Sequence, residues 1–172
     1  MNIFKIHDYA EIPTFATKGS ACFDLKTVFD DKIKIKSINP HNRELELAPK
    51  RDGNRFVFQL QPQFRTLLPT GLIFDIPEKY MLKVYIRSSM AYKYGITLAN
   101  SVGIIDSDSD YVEELYIMVI NTGDTPINIY SGDRVAQAKL EKLPAVYTLD
   151  ETTERPERKT DRDGGIGSTG VN

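Results

Sequence analysis

Cysteine and histidine are scarce in this chain. Cys22 is the single cysteine among 172 residues, which excludes an intrachain disulfide and a zinc cage of several thiolates. His7 and His41 are the only histidines, and neither has another plausible metal ligand close to it in sequence. A histidine-rich metal site and histidine-based catalysis are therefore not expected. If the chain is an enzyme, we expect its general base to be a carboxylate.

An excess of positive charge is also missing. Lys and Arg total 22 against 24 for Asp and Glu, and the formal net charge is −2. A protein that grips the nucleic-acid backbone normally carries a basic excess, so no nucleic-acid partner is expected. Apolar residues at 41% and charged residues at 27% are typical of a globular chain, and the length suits one domain.

Long apolar segments are absent from the sequence. The N-terminal residues MNIFKIHDYAEIP lack the basic start and the apolar run of a signal peptide. No stretch approaches the roughly 20 apolar residues that span a membrane. We therefore expect a cytoplasmic protein without membrane contact.

Polar and apolar residues alternate with a period of two along much of the chain, which is the pattern of half-buried strands. Turn signals such as Asn39-Pro40 separate these runs, and together they predict an antiparallel sandwich or barrel. One short helix is predicted over Ser88–Tyr94, with Ser88 as its N-terminal cap and Gly95 at its end. The predicted strands cover residues 32–38, 44–47, 55–60, 71–76, 80–86, 115–121, 127–129 and 134–140.

Four segments carry residues suited to phosphate or metal chemistry, and each also has an ordinary interpretation. Arg87-Ser88-Ser89 offers a guanidinium and two hydroxyls to an anion, or forms a simple helix cap. Residues 132–137, GDRVAQ, form either a functional turn or a hairpin with a local ion pair. Residues 103–111 place three acids at alternate positions, as a calcium-type loop or an acidic hairpin tip. Residues 164–170, GGIGSTG, could wrap an anion or be a frayed terminus.

Together with ACFDL at residues 21–25, these segments resemble the five ordered motifs of trimeric dUTPases. Residues 87–106, RSSMAYKYGITLANSVGIID, are similar to that family almost position by position, and GDRVAQ and GGIGSTG follow at the family's distances. The resemblance runs from about Ile12 to the C-terminus. It implies an all-β fold, a jelly-roll-like barrel over residues 1–147, in a homotrimer with shared active sites. It also implies that a C-terminal arm, residues 148–172, closes over the active site of a neighbouring subunit.

The resemblance implies hydrolysis of dUTP to dUMP and pyrophosphate, which removes dUTP from the nucleotide pool and supplies dUMP for thymidylate synthesis. It makes Asp106 the general base, assigns an ion pair to Arg134, and places Asp24 on Mg²⁺ through water, with the metal held mainly by substrate phosphates. The substrate-binding residues that it implies are Arg87, Ser88, Ser89 and Gln137 at the phosphates, Asn100, Gly103, Ile104 and Ile105 at the base, Tyr111 under the sugar, and Arg162, Ile166, Gly167, Ser168 and Thr169 in the arm.

The hairpin that would read the base departs from the family pattern. Four residues separate Asp106 from Tyr111 where the family has two, so alignment on the following Ser-Asp-Tyr would make Asp108 the base. We favour Asp106, because Ile104 and Ile105 are expected to be buried and to fix the strand register.

Other departures lie outside this hairpin. Cys22 replaces a glycine in the first motif, Ile166 replaces the phenylalanine that stacks on uracil, and Arg162 lies one residue closer to the glycine pair than usual. Residues 30–63 are longer than in compact members. Their alternating strands predict an inserted or extended hairpin that elaborates the surface.

Two other functions are compatible with parts of this resemblance. A dCTP deaminase of the same fold needs a glutamate in the base pocket. The matching position here is Met118, while Glu113 and Glu114 come too early in the chain, so deamination is not expected. A nucleotide-sensing regulatory module would instead bind dUTP tightly without releasing pyrophosphate.

Overall fold

The computed structural model describes residues 1–107, 113–144, 151 and 153–154. In these ranges the chain forms fourteen strands and one helix of seven residues, which is too short to cross a membrane. The elements are β1 (Asn2–Lys5), β2 (Phe23–Lys26), β3 (Ile35–Ile38), β4 (Glu44–Leu47), β5 (Lys50–Asp52), β6 (Arg55–Leu60), β7 (Arg65–Pro69), β8 (Leu72–Asp75), β9 (Tyr80–Ile86), α1 (Ser88–Tyr94), β10 (Ile96–Leu98), β11 (Gly103–Asp106), β12 (Tyr116–Asn121), β13 (Ile127–Tyr130) and β14 (Arg134–Lys142).

Two larger sheets and two smaller ones pack around a shared core. The five-stranded sheet has the order β10-β12-β7-β3-β4, and the four-stranded sheet has the order β11-β9-β14-β2. The smaller sheets are β13-β6-β5 and β1-β8, and every strand pair described is antiparallel. Leu25, Leu82 and Ile117 are among the fully buried residues that both larger sheets contribute to this core. The predicted all-β, jelly-roll-like barrel is confirmed.

The helix has the predicted bounds but not the predicted cap. Arg87 is the N-terminal cap residue, with extended backbone and no capping hydrogen bond from its side chain, so the prediction that Ser88 caps the helix is wrong. Arg87 still belongs to the sheet in its hydrogen bonding, because its N–H donates to the carbonyl of Val135 at 3.3 Å. Gly95 ends the helix as predicted, since its φ of 63° is a left-handed conformation that suits glycine.

Residues 30–63 belong to the barrel. They form two hairpins, β3–β4 in the five-stranded sheet and β5–β6 in a smaller sheet. Ile35, Phe58 and Leu60 from this segment are buried in the main core. The interpretation of the segment as one extended hairpin on the surface is therefore wrong, because the same alternation also describes strands whose apolar face is in the core.

A carboxylate flanked by two ammonium groups joins β9 to β14. Glu141 accepts contacts from Lys139 at 2.7 Å and from Lys83 at 2.6 Å. These contacts, with Lys139 contributing most, lower the pKa of Glu141 from 4.5 to about 2. Because the folded-state pKa is lowered, the group stabilises the fold above pH 4.5, and this contribution is lost as the pH falls towards 2.

Replacement of this carboxylate by an amide should change the acid sensitivity of the fold. We expect Glu141→Gln to be less stable than the wild type at pH 7 and to lose less stability between pH 4.5 and 2. Denaturant unfolding at a series of pH values measures both effects. Parallel stability curves for the two proteins would contradict the assignment.

Candidate active site

A carboxylate between two guanidinium groups lies at one end of the four-stranded sheet. Asp24 on β2 accepts from Arg87 Nε at 3.0 Å through one oxygen, and from Arg134 Nη1 at 2.9 Å through the other. Arg87 Nη1 also donates to the backbone carbonyl of Arg134 at 3.0 Å, which positions the Arg87 guanidinium against β14. Two guanidinium groups against one carboxylate leave an excess of positive charge, which favours phosphate binding. The ion pair predicted for Arg134 is present.

The other predicted phosphate-binding residues surround this cluster. Gln137 on β14 lies directly opposite Asp24 in the strand register, so the two side chains share one face of the sheet. Its Nε2 is 3.5 Å from the carbonyl of Ile86, a long contact that leaves the amide available to a ligand. Ser88 is exposed and Ser89 is half-buried in the first turn of α1.

The residues predicted to read the base line a cavity of about 330 Å³. Asn100, Gly103, Ile104 and Ile105 all line it, on and just before β11. A Cβ at residue 103 would stand 3.1 Å from the Cβ of Val84, closer than side chains normally pack. Glycine at this position therefore lets β11 lie close to β9 beside the cavity.

Strand β11 is an edge strand of the described sheet. It pairs with β9 on one side and has no strand on the other. An edge strand presents backbone N–H and C=O groups that no neighbouring strand satisfies. A planar base with alternating acceptors and donors can pair with such groups.

The two isoleucines of β11 face opposite sides of the sheet. Ile105 packs against the core, whereas Ile104 is 51% exposed, so the expectation that both are buried is wrong for Ile104. The alternation of a strand allows only one of two neighbouring residues to face the core. Asp106 is exposed at the end of β11, opposite Met81. Asp108 and Tyr111 lie outside the described residues, as do Arg162, Ile166, Gly167, Ser168 and Thr169.

The proposed general base, Asp106, and the phosphate-binding residues of one chain are far apart. Strands β11 and β2 occupy opposite edges of the four-stranded sheet, which is three strand spacings or about 14 Å across. Along β9, the residue opposite Asp106 is Met81, and Arg87 follows six positions later, a distance of roughly 20 Å. One chain therefore does not bring Asp106 and Arg87 together.

Two glutamates lie at the cavity, contrary to the expectation that they come too early in the chain to reach it. Glu113 and Glu114 both line it, together with Met118. Glu114 Oε1 accepts from the N–H of Gly71 at 2.6 Å. Burial and a hydrogen bond to Glu114 raise the pKa of Tyr116 to about 12. Glu114 is thus held at the rim by protein contacts, and a position count along the sequence could not reveal its place.

Metal-binding capacity is limited in the part of the chain that the structure describes. No three side chains of His, Cys, Asp or Glu come together there in a way that could hold a metal ion. Both oxygens of Asp24 already accept from arginines. This donor set suits Mg²⁺ that keeps its waters and is bound chiefly by phosphates rather than by a protein cage.

Comparison with known proteins places these features in context. A sequence profile of the family described as dUTPase matches residues 56–170. A deoxyuridine 5'-triphosphate nucleotidohydrolase of Rhizobium rhizogenes is 35% identical over 161 residues, which cover 94% of this chain and 86% of that protein. A dUTPase of Staphylococcus bacteriophage 80alpha, solved with dUPNHPP, has a TM-score of 0.71 at 19% identity and covers 99% of this chain and 98% of its own. A mutant dUTPase from phage phi11 of S. aureus, described as coordinating a structural Mg(II) ion, has a TM-score of 0.63 at 17% identity, with coverage of 89% and 96%.

Proposed function

This chain belongs to the dUTPase family, and we propose that it divides the work of dUTP hydrolysis between two places on its surface. The enzyme is a hydrolase that converts dUTP to dUMP and pyrophosphate. The observation that supports the proposed division is the separation of the cavity beside β11 from the arginine cluster around Asp24.

Uracil binds in the cavity beside β11. Its pairing edge offers an acceptor, a donor and an acceptor, and the free edge of β11 supplies complementary backbone groups next to Asn100. Cytosine presents a different pattern, which would leave polar groups buried without partners at about 1–3 kcal/mol for each group. Tyr111, five residues after Asp106 in the sequence, would pack under the sugar and exclude a ribose 2′-hydroxyl.

Asp106 is the general base. It follows the base-reading residues on β11, and its exposure leaves the carboxylate accessible to a water molecule at the α-phosphate. A carboxylate positioned to take a proton from the attacking water contributes about 10²–10⁴-fold to the rate.

The phosphates are bound by Arg87, Ser88, Ser89 and Gln137. Asp24 orients Arg87 and Arg134, and it would hold Mg²⁺ through water while substrate phosphates supply the main ligands. When bound, Mg²⁺ neutralises charge on the triphosphate.

We infer that the active enzyme is a homotrimer with shared active sites. Asp106 pairs with Met81, which lies roughly 20 Å from Arg87 along β9. The general base and the phosphate-binding arginine of one chain are therefore too far apart to act on the same phosphate group. A cyclic assembly sets the hairpin of one copy beside the arginine cluster of the next. The arm comes from a third copy and closes over the site. Its phosphate contacts are Arg162, Gly167, Ser168 and Thr169, and its Ile166 covers the base.

A panel of deoxynucleoside triphosphates with Mg²⁺ tests the proposed activity. We expect pyrophosphate release from dUTP and much slower release from dCTP and dTTP, because cytosine leaves groups unpaired and the methyl of thymine lacks space. We also expect no ammonia from dCTP, since the position that matches the deaminase glutamate is Met118, which carries no acid. Ammonia release would indicate the deaminase, and tight dUTP binding without pyrophosphate release would indicate the regulatory module.

A further inference from the structure

A second groove lies beside the arginine cluster and contains two lysines that the steps above do not use. Its volume is about 560 Å³, and it runs between α1, β13 and the turn before β14. Four cationic side chains from four different parts of the chain line it, namely Lys26 on β2, Arg87 before α1, Lys93 on α1 and Arg134 on β14. We call it the lysine groove.

The lysine groove has an excess of positive charge. Asp24 offsets one of the two guanidinium charges of Arg87 and Arg134, and Glu11 offsets Lys26 at 2.6 Å. Asp133, which also lines the groove, is paired with Arg55 at 2.7 Å. Because Asp133 pairs with the distant Arg55 and β13 and β14 lie in different sheets, the turn before β14 is not a hairpin with a local ion pair.

Lys93 contributes a charge that is not offset within the described residues. It is exposed in the last turn of α1, and none of the ion pairs there involves it. Such a position also suits the negative end of the helix dipole, which alone would explain a lysine there. The groove adds a second feature, because Lys93 faces the same cavity as the phosphate-binding residues.

Lys93 extends the phosphate site along α1, towards the C-terminal end of the helix. Ser89 and Lys93 are four residues apart, so they lie on the same face of the helix, about 6 Å or one turn from each other. Both line the groove, with Arg87 at its beginning. An anion with two linked phosphate groups can therefore contact Arg87 and Ser89 at one end and Lys93 at the other.

We propose that Lys93, assisted by Lys26, binds the diphosphate group that the reaction releases. The inference rests on the proposed function and adds residues that have no assigned role in it.

The diphosphate has two sources, the terminal phosphates of bound dUTP and free pyrophosphate. Lys93 is a positioning and release residue that determines how tightly this end of the nucleotide is held, and the hydrolytic step does not depend on it.

Kinetic constants for Lys93→Met and Lys26→Met test this proposal. We expect the inhibition constant of pyrophosphate to rise about tenfold in Lys93→Met and less in Lys26→Met, whose charge Glu11 already offsets. Inhibition by dUMP, which has no diphosphate, should stay unchanged, and Lys93→Arg should restore pyrophosphate binding. Lys50→Met is the matched control, because Lys50 is an exposed strand lysine that does not line the groove.

The two sources of diphosphate separate in the same experiment. A rise in KM for dUTP together with the pyrophosphate constant indicates that the groove holds the substrate's terminal phosphates. A rise in the pyrophosphate constant alone indicates the product. Unchanged values of both in Lys93→Met overturn the inference, while the wild-type release of pyrophosphate from dUTP still supports the proposed function. If the wild type releases none, the proposed function fails, and direct calorimetry of pyrophosphate on wild type and Lys93→Met still decides whether the groove binds it.

Discussion

Asp106→Asn should lower the turnover of dUTP by about 10²–10⁴-fold and leave dUTP affinity largely unchanged. The amide has nearly the shape of the carboxylate but does not accept a proton from the attacking water. Asp106 is exposed at the end of β11, so the change leaves the core intact. Asp106 is not one of the residues that line the cavity, so the base-reading contacts are untouched. Pyrophosphate release measures the turnover, and calorimetry with a non-hydrolysable dUTP analogue measures the affinity.

The matched control for this experiment is Asp108→Asn, two residues further along the sequence. We expect Asp108→Asn to keep most of the wild-type turnover, because the strand pairing of β11 places Asp106 at the end of the ladder beside the cavity. An active Asp106→Asn together with an inactive Asp108→Asn would move the base to Asp108.

Two inactive variants should regain dUTP hydrolysis when they are refolded together. Asp106→Asn lacks the base, and Arg87→Gln loses a guanidinium that binds phosphate and pairs with Asp24. If each site takes Asp106 from one copy and Arg87 from another, random mixing at equal amounts makes about a quarter of the sites intact. The mixture should therefore recover about a quarter of the wild-type activity from two nearly inactive proteins.

A site built within one chain gives a different result. Every copy in the mixture would then carry one of the two defects, and the activity would remain as low as that of either variant alone. Variants refolded separately and mixed without unfolding provide the control for subunit exchange. Mass measurements on the mixture establish whether the copies have assembled.

Strand prediction succeeded where alternation was long and regular. The bounds of β4, β6 and β9 and those of α1 agree with the predictions, because local pattern and tertiary burial coincide in these segments. Strand β7 (Arg65–Pro69) is not among the predicted strands, although it lies between β12 and β3 in the five-stranded sheet. It ends in proline, which normally argues against a central strand, and here the proline is the last residue of the strand. Strands β1 and β5 are not predicted because NIFK and KRD do not alternate, and β10 is not predicted because the three residues ITL are too few to show a period.

Site prediction depended on whether the residues are contiguous. Arg87-Ser88-Ser89 is a local motif, and its position at the start of α1 follows from sequence. The places of Glu113 and Glu114 follow instead from the return of the chain into β12, which brings them back to the cavity. The exposure of Ile104 likewise depends on which face of β11 meets the core. Sequence alone carries no information about this choice when both neighbours are apolar.

Asp24 preorganises the arginine cluster before any nucleotide binds. Arg87 and Arg134 are each held by one oxygen of the same carboxylate, and Arg87 is held further by the carbonyl of Arg134. Freezing a long side chain on binding costs about 0.5–1.5 kcal/mol, and here folding has already met that cost for both arginines. The affinity for phosphate therefore depends on a residue that need not touch it. The preorganisation of the phosphate site thus depends on Asp24 of β2, an edge strand of the four-stranded sheet.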